Sequence, residues 1–399
     1  MTAANLTQVR YVKNNTTYGL PPTGSPKMKL IPLQRETLEL QVDNIRSPVI
    51  RADRHTQDTF RVGVRENGDI EFPIGYGQAD DLYEYGLYSP AWTAADVTSG
   101  LTVTVTSGTG TFAATGIGTN VAVGDWVRFS GFASTLITNN GWWKVATVPG
   151  SGSITVSGGT GTLVSGTSGA TVGRVRGAYI DAAKTASEIY VEKEFGGLSS
   201  NKIFGIPGLF IRTLRQETNR KGFFQLRLGF FGKNEDRISA TVGDGSPTAV
   251  NSNITMNTVD HLIAVIGGGV LDLTRFNWEL SNNQEPKEVM GTFGPTGIIE
   301  GSIGIRGDLD GYGDDSIMTA IMDKFHDHTE DSFGIVAHDK SASPYGNSYV
   351  YDIPAAHYLS ARANAEGIDT QVFARSTWEA KTKLEGATNH MMRIFRFAP

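Results

Sequence analysis

Apolar residues in this chain recur mostly with a period of two, in short runs broken by glycine, asparagine and proline. Leu101-Thr-Val-Thr-Val-Thr106 and Ser153-Ile-Thr-Val-Ser157 alternate strictly. Phe223-Phe-Gln-Leu-Arg-Leu-Gly-Phe-Phe231 and Ile368-Asp-Thr-Gln-Val-Phe-Ala-Arg375 follow the same rule. Successive side chains of a strand point to opposite faces, so this alternation predicts half-buried strands. Turn signals separate them at Gly108-Thr-Gly110, Gly116-Ile-Gly118 and Asn139-Asn140-Gly141. A helical period is clearest at Ile317, Ile321 and Phe325, which share an apolar face with Met318 and Met322. Asp314 or Asp315 can cap that helix and complement its dipole. The expected fold class is therefore mainly β with minor α.

Texture divides the chain into three. Residues 1–90 are mixed and charged, 91–175 form a Gly/Thr/Ser/Val tract, and the mixed texture returns from 176 to 399. Between Val97 and Gly173 the charged residues are Asp125, Arg128 and Lys144. A disordered linker would have that polarity, but Trp126, Phe129, Phe132, Trp142 and Trp143 supply apolar mass that linkers lack. The tract is expected to be a small all-β domain inserted into a larger fold.

The flanking regions hold a faint internal repeat. Phe204-Gly-Ile-Pro-Gly-Leu-Phe210 is echoed by Tyr351-Asp-Ile-Pro-Ala-Ala-His357, with Pro207 and Pro354 lying 147 residues apart. Upstream, Glu39–Ile45 faces Glu279–Gln284, Gly68–Ile74 faces Gly297–Ile303, and Asp80-Asp81 faces Asp314-Asp315. Matched blocks in one order suggest a duplicated fold, each copy a β-sandwich or barrel plus a helix. The first copy would occupy 1–90 and 176–245, interrupted by the insert at 91–175, and the second 246–399.

Composition narrows the function. Glycine reaches 48 residues and hydrophobic residues only 39%, which suits short strands and tight turns. The formal charge of −6 carries no basic stripe of the kind that grips nucleic acid. There is no cysteine, so neither a disulfide framework nor a thiolate metal site is possible. The first residues lack the apolar run of a signal peptide. The longest apolar stretch, Leu262–Val270, falls far short of the roughly 20 residues that span a bilayer. A soluble chain made in a cytoplasm is expected.

Candidate chemistry is sparse. Asp308-Leu-Asp310-Gly-Tyr-Gly313 resembles a calcium loop only in part, because Tyr312 and Thr319 stand where ligands are needed. His326 and His328 beside Asp327, Glu330 and Asp331 could share a metal on a strand or loop, or simply end a helix in solvent. No phosphate loop or dinucleotide fingerprint occurs. No catalytic constellation, cofactor site or metal site is assigned, and the chain reads as a non-enzyme. The charged cluster Arg46, Arg51, Asp53, Arg54 and Asp58, with His55, is either a solvated loop or a contact between subunits, where opposite charges fix register.

Thr37-Leu-Glu-Leu-Gln-Val-Asp-Asn-Ile-Arg-Ser-Pro-Val-Ile-Arg-Ala-Asp-Arg-His-Thr-Gln-Asp58 resembles the opening signature of tail tube proteins of long, non-contractile (siphovirus-type) tailed phages. That signature is an extended strand with Glu, Ile-Arg and Asp-Arg, then Gly-x-Ile and an Asp-rich helix start. Phe276-Asn-Trp-Glu-Leu-Ser-Asn-Asn283, Gly291 and Gly301-Ser-Ile-Gly-Ile-Arg-Gly307 resemble its second half. Ser47-Pro48-Val49 and the insert depart from the pattern. The resemblance implies stacked rings closed by β-sheets around a channel, with inserted domains as outer decoration. Rings of this family usually have six single-fold subunits, so a two-copy chain implies a homotrimer with pseudo-sixfold symmetry. Stacking would fall to the N-terminal arm, the loop near residues 43–60 and the C-terminus. DNA would pass an acidic channel without specific binding. Implied partners are further copies of the chain, a tape measure protein, and tail terminator and baseplate proteins. The implied location is the virion, after assembly in the bacterial cytoplasm. Rival readings are another tail or baseplate ring component, a phage-derived bacteriocin tube, or a glycan-binding adhesive module using Trp126, Trp142 and Trp143.

Overall fold

The computed structural model describes residues 6–14, 17–48, 58–198, 202–218, 221–253, 255–257, 262–313, 315–339, 346–364 and 372–398. Ten strands carry the architecture. They are β1 (Glu39–Arg46), β2 (Thr59–Pro73), β3 (Ile189–Phe195), β4 (Ile203–Glu217) and β5 (Gln225–Gly232), then β6 (Leu273–Ser281), β7 (Gly304–Tyr312), β8 (Asp331–His338), β9 (Ser348–Asn364) and β10 (Phe373–Ala380). In the order β1-β2-β5-β4-β6-β7-β10-β9 eight of them pair antiparallel into one continuous belt.

Alternation explains the belt. Ile70 and Phe72 of β2, Leu226 and Leu228 of β5, Leu280 of β6, Ile305 and Leu309 of β7 and Trp378 of β10 are buried on one face. Each such side chain contributes about 1.5–3 kcal/mol by leaving water. The residues between them are charged or polar and form the opposite, open face.

Two long belt strands, β4 and β9, bend into a second layer. The C-terminal halves of β4 and β9 pair with β5 and β10, while their N-terminal halves pair with β3 and β8. Each bend contains an Ile-Pro pair, then a bulge between Ile211 and Thr213 in β4 and between Tyr358 and Ser360 in β9. Proline cannot donate to a ladder, so it suits the place where a strand changes partners, and a bulge adds the curvature. Thr7–Lys13 extends the second layer beside β3, and Arg393–Phe397 extends it beside β9.

The pairing order β1-β2-β5-β4-β3 recurs as β6-β7-β10-β9-β8. A helix stands between the second and third strands of each set. The first is α1 (Asp80–Gly86); the second runs as an α turn Asp315–Ile317, a π turn Met318–Asp323 and an α turn Lys324–His326. Ile317 and Ile321 are buried as the period predicts, but the π turn has no signal in it. One expected alignment differs. The strand occupying the place of Gly68–Ile74 is β7, so Gly307-Asp308-Leu309-Asp310 matches Gly68-Asp69-Ile70-Glu71. Gly297–Ile303 lies mostly outside strands and leaves Ile299 exposed, whereas β7 delivers Ile305 and Leu309 to the core.

A second sheet of eight strands draws all of them from Asp96–Arg176. It has its own core, in which Phe112 and Phe129 stack at 4.5 Å with Phe132 and Trp143 beside them. The Gly/Thr-rich tract is thus folded rather than a linker. Trp126 and Trp142 leave that core and pack on Val265, Val336, Val350, Phe395 and Phe397. Tyr349, Tyr351 and Ile394, which alternate with those residues, belong to the core shared with the belt. Three layers therefore stack: belt, second layer, inserted sheet.

The seam is also polar. Lys144 Nζ lies 2.9 Å from both Asp352 Oδ1 and Glu385 Oε1, and Trp126 Nε1 donates to Asp352 at 2.9 Å. Removing the lysine that both buried carboxylates share leaves Asp352 without its ion-pair partner. Lys144→Met is expected to cost about 3 kcal/mol or more, read as a lowered urea midpoint. A loss below about 1 kcal/mol would mean that water or protons replace the lysine.

Candidate assembly surface

The open face of the belt carries charge in rows set by strand register. Glu71 of β2 stands opposite Arg227 of β5, which stands opposite Arg215 of β4, and Arg215 faces Glu279 of β6. The row continues through Arg306 of β7, Glu379 of β10 and His357 of β9. Arg306 pairs with Glu379 at 3.1 Å and Arg275 with Asp308 at 3.1 Å. Arg215 and Arg227 are like charges side by side, and each is drawn off to a carboxylate. Arg215 lies 2.9 Å from Glu217 and 3.8 Å from Glu279, and Arg227 lies 2.5 Å from Asp69. That hydrogen bond from Arg227 to Asp69 holds the guanidinium above its ordinary pKa. Half-burial pushes the Asp308 carboxyl up, against Arg275.

Both ends of the belt are open. Among the described residues β1 pairs along one edge only, with β2, and β9 from His357 onward pairs only with β10. Unpaired N–H and C=O groups along such edges are templates for another strand. Beyond the body, β1 and β2 continue as a hairpin arm on which Val42, Ile45, Phe60 and Val62 are exposed. Against it lies the loop bearing Met290, fully exposed, and Phe293, with Val64 N donating to Phe293 O at 2.6 Å.

Of the charged cluster singled out from sequence, Arg46 and Asp58 fall on this arm. Arg46 ends β1 opposite Thr59, and Asp58 precedes β2, its carboxylate accepting from Thr59 N at 2.7 Å. Both are exposed. Arg51, Asp53, Arg54 and His55 lie outside the described residues. The belt rows were missed, although alternations such as Arg65-Glu-Asn67-Gly-Asp69-Ile-Glu71 were there to be read. Asp308 and Asp310 sit within β7 beside Arg275 rather than in a loop. His326 and His328 are exposed at the helix end, and His328 stacks on His357 at 4.7 Å. Among the described residues Asp352, Glu385 and His390 form a group close enough to share an ion, and Lys144 already bridges its two carboxylates. Trp126, Trp142 and Trp143 are all buried, so they offer no platform to a glycan.

A family model described as phage tail tube protein matches residues 4–365. The chain belongs to the phage tail tube protein family. No curated protein matches it. As a tail tube protein it is a structural component of a virion tail, and its β-rich layers fit that family. No helix among its described residues is long and apolar enough to cross a membrane.

One buried group in this tail tube protein sits behind the belt. Glu66 of β2 has no solvent exposure, and neither carboxylate oxygen has a hydrogen-bond partner. Burial first, then Glu235, pushes its carboxyl from 4.5 up to about 8, with Lys193 pulling the other way and Glu36 and Glu39 adding to the rise. A folded pKa above the unfolded one means stability that is complete below about 4.5 and lost as pH rises through about 8. Glu66→Gln should match the parent at about pH 4 and exceed it by on the order of 1 kcal/mol at about pH 9. Urea midpoints at the two pH values decide this; the same difference at both would show that Glu66 does not titrate in that window.

Proposed function

We propose that three copies of this chain close into a ring, that rings stack into the tube of a long non-contractile tail, and that the tube conducts DNA during ejection. The repeated pairing order carries this reading. Within the chain, the two sets of strands meet where β4 pairs with β6, Thr213 opposite Ser281 and Arg215 opposite Glu279. The bulges place Thr213 and Ser360 at matching positions, and the belt registers match Glu279 with Glu39. Repeating the junction between chains puts the free edge of β9 against the free edge of β1. Ser360 then stands opposite Gln41 of the partner subunit and Arg362 opposite Glu39 of the partner subunit. A heterologous contact of this kind closes when the rotation per subunit divides a full turn.

Two copies of one fold per chain, 1–90 with 176–245 and then 246–399, make a threefold ring with pseudo-sixfold symmetry. The inserted sheet, on the layer away from the belt, lies on the outside of the tube. The hairpin arm, with Arg46 and Asp58, makes contacts between rings, where exposed Phe60 and Met290 would be covered, and Arg51, Asp53 and Arg54 are further candidates for those contacts. Within a tail the tube encloses a tape measure protein and ends on terminator and baseplate proteins.

The absence of cysteine makes the register directly testable. Ser360→Cys combined with Gln41→Cys should, on oxidation of assembled material, give covalent dimers and closed trimers and nothing longer. Each single variant should stay monomeric in denaturant. Rods or stacked rings by negative-stain electron microscopy with no crosslink would overturn the register. A ladder running past trimer would overturn the closed ring.

A further inference from the structure

Three groups at the seam stand in an arrangement that an ion pair alone does not require. Lys144 lies on the insert's strand Gly141–Gly150, Asp352 on β9 and Glu385 on the short strand Lys383–Glu385. Lys144 Nζ is 2.9 Å from Asp352 Oδ1 and 3.0 Å from Oδ2, so it sits astride both oxygens of the carboxyl group. The two side chains are 11% and 1% exposed. Glu385 Oε1 lies 2.9 Å from the same nitrogen, and His390 Nε2 meets the other oxygen of Glu385 at 3.0 Å.

An amine, a carboxyl carbon and a group able to carry a proton between them are therefore in place together. Burial favours reaction among them. Each charge costs free energy in a low-dielectric interior, and condensing an ammonium with a carboxylate removes one charge of each sign. Burial pushes the Asp352 carboxyl up, with Lys144 opposing and Glu385 adding to the rise, and this eases passage of a proton from Nζ to Oδ2. Against its own burial, the hydrogen bond from His390 and the charge of Lys144 hold Glu385 down at about 2, so it is ionised and can accept a proton.

We propose that Lys144 and Asp352 condense into an intramolecular amide, with Glu385 as the proton carrier. One proton passes from Lys144 Nζ to Asp352 Oδ2. The neutral amine then attacks Asp352 Cγ and the C–N bond forms. Trp126 Nε1 donates to Oδ1 as that oxygen takes up negative charge. Glu385 takes a proton from the nitrogen and delivers it to Oδ2, whose bond to Cγ breaks. One water leaves, the Glu385 carboxylate is restored, and no oxidant or co-reactant is consumed. Trp126, Lys144, Asp352 and Glu385 line a cavity of about 290 Å³ that receives the water. The amide ties the inserted sheet covalently to the second set of strands.

The test is the intact mass of the denatured full chain. The parent should weigh one water less than its sequence. A tryptic digest should yield a branched peptide joining the segment around Lys144, uncut at that lysine, to the segment around Asp352. Lys144→Arg keeps the charge without the nucleophilic amine and should keep the full mass. Glu385→Gln leaves Lys144 beside Asp352 and should lose water about a hundredfold more slowly. A parent chain at full mass would overturn the amide and leave an ion pair, and that measurement needs no variant to fold. Water lost elsewhere, as from a succinimide at Asp310-Gly311, would overturn it too, and the digest locates the loss. Equally fast loss from Glu385→Gln would overturn the role of Glu385.

Discussion

The antiparallel join of β4 to β6 holds the two halves of the molecule in one belt, and a buried chain of hydrogen bonds fixes it. Trp278 Nε1 donates to Gln216 Oε1 at 2.8 Å, and Gln216 Nε2 donates to the Tyr351 hydroxyl at 3.1 Å. The Tyr351 and Tyr83 hydroxyls meet at 2.7 Å. These four side chains come from β6, β4, β9 and α1, so one network reads the position of both layers and of the helix. Inside a low-dielectric core each of these groups costs free energy unless its partner is present. A slip of β4 on β6 by one residue would strand all of them and turn the apolar row of the belt to solvent. The network therefore specifies a single register where apolar packing alone would tolerate others.

From that join the division of labour between faces follows. One face of the belt must be apolar to cover the core, and the period of two leaves the other face free to carry charge. The second layer does the same thing twice over: Tyr349 and Tyr351 look to the belt while Val336 and Val350 look to the inserted sheet. A three-layer body results from strands whose two faces are both committed.

Much of this was legible in the sequence, and the part that was not has physical reasons. Alternation in Phe223–Phe231 marks a belt strand because one face, with Leu226, Leu228 and Phe230, is buried. The aromatic residues of the Gly/Thr-rich tract mark a folded core because a linker has no use for Phe112 against Phe129. The Ile-Pro echo marks the two places where a strand changes layers. Pairing partners are not legible, since register is decided by non-local contacts, and for that reason sequence similarity points to Gly297–Ile303 where the structure has β7. The division of labour among Trp126, Trp142 and Trp143 was also hidden. Adjacent positions on a strand point to opposite sides, and only the tertiary packing says that one side is the core of the insert and the other a seam. The charges of Arg46–Asp58 are conspicuous because they lie close together in the chain, whereas members of a belt row lie tens or hundreds of residues apart.

The inserted sheet leaves the chain between α1 and β3, in the first set of strands, yet its seam is made with β8, β9 and Arg393–Phe397 of the second. It is a strap from one half to the other. Any load that would rotate the halves apart must peel the Trp126 and Trp142 seam and shear the β4–β6 ladder at the same moment. Each chain is then a stiff mechanical link. A wall built of such links would concentrate its compliance at the joints between chains, and would flex as a string of rigid segments rather than as a uniform hose.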